Sequence, residues 1–119
     1  MERSREDIRK NVLDDLKNKG YLNVRSAVQG YQQPLAIKNY GSSYEFTPDI
    51  TAQGEAFIII DICVPDMLNM AGLLLRWKTF SDYALQKCAV FRIYASEEME
   101  NIVRKKLEYA DIEADIHKV

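Results

Sequence analysis

A chain of 119 residues, 47% hydrophobic and 29% charged, has the size and composition of one globular domain with one real core. Its net charge of −2 at pH 7 supplies no global basic field, which argues against tight nonspecific DNA binding by a single copy and against attraction to an acidic membrane. The first residues are charged and lack the apolar core of a secretory leader, and no apolar stretch reaches the roughly 18 residues that span a bilayer.

In chain order, residues 4–19 read as an amphipathic helix. Ser4 and Asp7 match a capping box, Ile8, Val12, Leu13 and Leu16 form the apolar stripe, and Gly20 ends it. Strand-like pieces follow around 23–28 and 34–37, then a turn-rich stretch at 39–43 holding Gly41 and two serines. Residues 44–52 read as a strand, Gln53-Gly54 as a turn and residues 56–64 as a central strand. A helix is expected between 67 and 86, with Leu73, Trp77, Phe80 and Ala84 facing the sheet. A strand at 89–95 leads to a helix capped by Ser96, with Glu97 and Glu98 in its first turn and Ile102, Val103 and Leu107 inward. A short strand, Ile112 to Ile116 or a little beyond, closes the order. The connection between strands 56–64 and 89–95 suits a right-handed parallel crossover, so the expected class is α/β with a mixed central sheet flanked by helices.

The two cysteines, Cys63 and Cys88, then fall near opposite edges of the sheet, on the order of 20 Å apart at about 3.3 Å per residue. A disulfide needs α-carbons within about 7 Å. Both are read as free thiols of a cytoplasmic protein.

Asp61 stands alone in the apolar run Ala56-Phe57-Ile58-Ile59-Ile60-Asp61-Ile62-Cys63-Val64. A strand of that composition is covered on both faces, and an ionised carboxylate there costs several kcal/mol unless a metal, a cation or hydrogen-bond donors compensate it. A second acid, Asp49, precedes it in Phe46-Thr47-Pro48-Asp49-Ile50. Two acids on neighbouring strands begin a divalent-metal site, because hard cations take oxygen ligands.

Pro48-Asp49 on one strand and Asp61-Ile62-Cys63 on the next, within this element order, resemble the PD-(D/E)XK nuclease superfamily of restriction enzymes, Holliday-junction resolvases and RecB-type nucleases. The resemblance runs from about Glu6 to Ile116. It implies a restriction endonuclease-like core, with Asp49 and Asp61 as catalytic Mg²⁺ ligands, nucleic acid as a partner and a homodimer as an assembly state. The family's lysine, two residues beyond the second acid, is replaced here by Cys63. Some branches carry that lysine on the following helix, where Arg76 and Lys78 stand, and Lys78 is the candidate catalytic cation. At 100° per residue Lys78 lies roughly 130° and Arg76 roughly 70° from the apolar stripe, although arginine cannot act as a base. The leading reading is a domain related to DNA-processing nucleases. The rival, favoured by Cys63 in the lysine slot and the acidic balance, is a catalytically inactive binding or assembly module.

Register decides whether the acids meet. A two-residue Gln53-Gly54 turn pairs Asp49 with Ile58 and sends the acids to opposite faces. A three- or five-residue loop, or a bulge near Pro48, sets Asp49 opposite Asp61, and the proline makes irregularity expected. The shared site is the expectation taken forward. Otherwise Asp49 accepts hydrogen bonds at a strand end and Asp61 pairs with a lysine or arginine.

Other features carry less. Cys63 reads as a small core residue, without a histidine to activate it, since His117 lies far along the chain at the surface. Glu6 sits where many family members place an acid, but helix starts favour acids anyway. Arg104-Lys105-Lys106 reads as a solvated face. Tyr21, Tyr31, Tyr40 and Tyr44 could stack on bases or serve as half-buried packing.

Overall fold

The computed structural model describes residues 4–38 and 44–118; the turn-rich stretch, with Tyr40 and Gly41, lies outside them. Helix α1 (Arg5–Asn18) opens on Ser4, whose hydroxyl accepts a hydrogen bond from the Asp7 amide at 3.1 Å, as its capping pattern implies. Ile8, Val12, Leu13 and Leu16 are its buried residues. Strand β1 (Leu22–Ser26) follows, then a small separate ribbon of β2 (Ile37–Lys38) and β3 (Glu45–Phe46).

The strand expected over 44–52 is broken in two. Strand β3 ends at Phe46 and β4 (Ile50–Gln53) begins after Thr47-Pro48-Asp49, because proline has no amide for a ladder. Strand β5 (Phe57–Cys63) is the central strand, and β4 and β5 pair antiparallel with Gln53 opposite Phe57 and Ile50 opposite Ile60. The hairpin loop is therefore three residues, Gly54 to Ala56, rather than the Gln53-Gly54 turn. A β-carbon on Gly54 would lie 2.6 Å from Tyr21 Cε1, so any other residue at the loop's first position would have to displace that ring.

The helix expected over 67–86 is also divided. A 3₁₀ turn (Pro65–Asn69) precedes Gly72, whose φ of 81° breaks the helical path, and α2 (Leu73–Lys87) follows. Strand β6 (Val90–Ala95) lies parallel to β5, α3 (Glu97–Ala110) follows Ser96, and β7 (Asp115–Lys118) lies parallel to β6, about three residues later than anticipated. The result is α/β: a five-stranded mixed sheet in the order β1-β4-β5-β6-β7, flanked by three helices.

Alternation along β5 divides the core. Ile58, Ile60 and Ile62 face α1, together with Ile50, Ala52 and Tyr94. Ile59 and Cys63 face α2 and α3, packing with Trp77, Phe80, Ile93 and Val103. Each fully buried isoleucine contributes about 1.5–3 kcal/mol relative to exposure. On α2 the stripe Leu73, Trp77, Phe80 and Ala84 is buried as its spacing requires. On α3, Val103 and Leu107 turn inward, but Ile102 is exposed at the flank of the stripe. No helix among the described residues is long and apolar enough to cross a membrane.

Candidate functional site

The three-residue loop sets the site. Continuing the β4–β5 register one step beyond Ile50 and Ile60 puts Asp49 opposite Asp61. Asp61 belongs to the same strand face as Ile59 and Cys63, and it is fully buried (0% exposed). Asp49 sits at the mouth of β4, where its Oδ2 accepts the Ile62 backbone amide at 2.8 Å. The two acids converge, as the three-residue loop requires.

What compensates them is arginine. Arg76, one turn into α2, forms a two-pronged pair with Asp61: Nε donates to Oδ2 at 2.9 Å and Nη2 to Oδ1 at 2.7 Å. The same Nη2 donates to the Thr47 carbonyl at 2.8 Å, satisfying backbone that the Pro48 break leaves outside the sheet. Its guanidinium also stands 5.0 Å from the centre of the Phe80 ring. The Trp77 indole donates to Asp61 Oδ2 at 3.0 Å. From α1, Arg9 Nη2 donates to Asp49 Oδ1 at 2.8 Å. Arg5 donates to Asp49 Oδ2 through Nη2 at 2.8 Å and Nε at 3.3 Å, and its Nη2 lies 3.7 Å from Asp61 Oδ1. One guanidinium nitrogen thus bridges both carboxylates.

The charges do not balance as in a metal site. Three guanidiniums surround two carboxylates, leaving one positive charge in excess. Burial alone would push Asp49 up. Its hydrogen bond with Asp61, the Arg5 guanidinium and the Ile62 amide outweigh that and hold its carboxyl below the ordinary value. Burial raises Asp61 to about 6 despite the Arg76 pair, with the neighbouring Asp49 charge adding to the rise. The pair titrates as one coupled system in which Asp49 releases its proton first.

The donor set does not fit Mg²⁺. Each of the four carboxylate oxygens already accepts a short hydrogen bond from protein, and a hard dication would have to displace guanidiniums that repel it. No group of three or more His, Cys, Asp or Glu residues able to hold a metal occurs among the described residues.

The remaining candidates do not join the cluster. Lys78 points to solvent, its side chain 44% exposed and its ammonium 3.3 Å from Asp82 one turn on. Its place 130° from the stripe explains why the neighbouring Arg76 holds the acid instead. Cys63 is a buried core residue whose thiol is pushed up to about 12 by burial and by the Asp61 charge, so it stays protonated. Glu6 is exposed and lies 3.8 Å from Lys10. His117 is half-buried rather than at the surface, its ring 5.3 Å from that of Tyr94.

The residues that sequence reasoning overlooked are Arg5 and Arg9. Their signal was present: with Ile8 and Val12 they occupy i, i+3, i+4 and i+7 of α1, which places two cations on the margin of a buried stripe. Arg5 is the most exposed of the three arginines, at 33% of its side chain, and it lines an open cleft of about 720 Å³ with Pro65, Asp66 and Met67. No protein-family model, curated protein or solved structure matches this chain.

Proposed function

We propose that the chain is a PD-(D/E)XK nuclease-like domain whose acid pair serves as a structural clasp, so that the domain works as a binding or assembly module and not as a nuclease. One observation carries this reading: Asp49 and Asp61 meet, but their oxygens are taken by Arg5, Arg9 and Arg76. Hydrolysis by metal-activated water requires a carboxylate-rich, open coordination site. A cluster with excess positive charge has no such vacancy, and Cys63 supplies no cation at the lysine position. The clasp ties the start of α1, the Thr47–Asp49 break, β5 and α2 into one unit. Two free thiols suit a cytoplasmic setting.

The test is a nuclease assay on branched, linear and single-stranded DNA with Mg²⁺ or Mn²⁺. The expected result is no cleavage above buffer. Metal-dependent cleavage that disappears in Asp61→Asn would overturn the module reading and restore the enzyme. The same preparations, followed by fluorescence polarisation with labelled DNA and by sedimentation, read out the two partners the resemblance implies, nucleic acid and a second copy.

A further inference from the structure

The opposite end of the same sheet face carries a second polar site, and a bulge builds it. Along β1 and β4 the register passes from Leu22 opposite Gln53 to Arg25 opposite Thr51, three steps on β1 against two on β4. The extra residue is accommodated by Asn23 at φ 51°, a conformation that side-chain-bearing residues seldom adopt. In an unbulged strand Val24 would stand opposite Thr51 and Arg25 would project to the α1 face. The bulge keeps Val24 packed on the α1 side and delivers a guanidinium to the α2 side.

There Arg25 lines a cavity of about 380 Å³ with Asn23, Thr51, Gln53, Phe57 and Tyr83, beneath the segment from Leu35 to Ile37. That volume lies in the range of small-molecule sites. Among the described residues no acid is in the lining, and the Arg25 side chain makes no ion pair or hydrogen bond. A half-buried guanidinium with no carboxylate beside it favours an anion, and its fork matches a carboxylate or phosphate. Two amides and two hydroxyls supply further hydrogen bonds, while the rings of Phe57 and Tyr83 offer apolar walls to a planar group.

We infer that this cavity binds a small organic anion bearing a planar ring, its carboxylate or phosphate held by Arg25 and its ring against Phe57 and Tyr83. The assignment is independent of the clasp. It is tested by amide chemical-shift titration of the whole chain with benzoate and with phenyl phosphate, and with benzylamine as the charge-reversed probe. Saturable shifts centred on Asn23, Arg25, Thr51 and Gln53 are expected with one or both anions, and the one that binds more tightly identifies the headgroup. Benzylamine should leave these amides unmoved. Arg25→Ala should weaken binding by about tenfold or more, the loss of a charge-assisted hydrogen bond. Arg25→Lys, which keeps the charge and loses the fork, should fall between them and preserves the test if the alanine variant does not fold. The assignment is overturned by the absence of saturable shifts with either anion at low-millimolar concentration, by equal response to benzylamine, by binding unchanged in both Arg25 variants, or by shifts centred on Arg5, Arg9 and Arg76.

Discussion

The α2-facing side of the sheet has two polar ends, and they are built on opposite plans. At the β4–β5 end two acids and three arginines meet, with Asp61 fully buried and its oxygens all engaged. At the β1–β4 end one arginine lines a cavity without an acid. The first arrangement spends its guanidiniums on the fold; the second leaves its guanidinium without a partner among the described residues. Residues that look catalytic in a sequence can thus be the most structurally committed ones, while an arginine without a motif holds the open site.

The sharpest contrast between the ends is energetic. Asp61→Ala should destabilise the protein by about 3–5 kcal/mol in urea denaturation, since it leaves the Arg76 guanidinium and the Trp77 indole uncompensated in the interior. Arg25→Ala should stay within about 0.5 kcal/mol, as expected of a side chain without ion pair or hydrogen bond among the described residues. Similar losses at both ends would erase the distinction. A finer test lies within α2. Arg76→Lys keeps a charge but loses the fork and should cost about 1–3 kcal/mol. Lys78→Ala removes only an exposed one-turn ion pair and should cost at most about 0.5 kcal/mol. A larger effect at Lys78 would return it to the site.

The acid pair also sets a pH dependence that the other end lacks. Burial, chiefly, raises the Asp61 carboxyl from 3.8 to about 6 in the folded protein. Between those values the folded state keeps a proton that the unfolded chain has released, so this group's contribution to stability falls as pH rises through that window. Asp49 is lowered and acts in the opposite sense: its contribution is present above the ordinary carboxylate value and is lost as pH falls through its folded one. Subtracting the stability profile of Asp61→Asn from that of the wild type should give a difference that declines from pH about 4 to about 6 and is flat above. A flat difference throughout would show Asp61 unperturbed.

Much of this architecture was legible in the chain because it is written locally. The isoleucine-rich β5, the Leu73–Trp77–Phe80–Ala84 stripe and the Ser4 cap follow from period and capping chemistry. The hairpin register was left open because a loop's length is settled by what packs on it: Gly54 starts a three-residue loop under the Tyr21 ring, a contact between residues far apart in sequence. Asp61 was found by its isolation in apolar surroundings and Asp49 as a second acid on the neighbouring strand, and the helical angle ranked Arg76 above Lys78 for the place it occupies. Arg5 and Arg9 were missed because cations near a helix start read as solvated unless the tertiary partner is known. The bulge at Asn23 leaves only a weak local signal in Leu22-Asn23-Val24-Arg25, asparagine's tolerance of positive φ, which does not reveal the pocket it opens.

The claim that the acid pair is a clasp closed to metal is tested most directly by titrating Mn²⁺ into the wild-type protein and following paramagnetic broadening of individual amides. The account predicts no selective broadening at Asp49 or at Ile60, Asp61 and Ile62. Saturable broadening centred on those four amides, relieved by excess Mg²⁺, would contradict it.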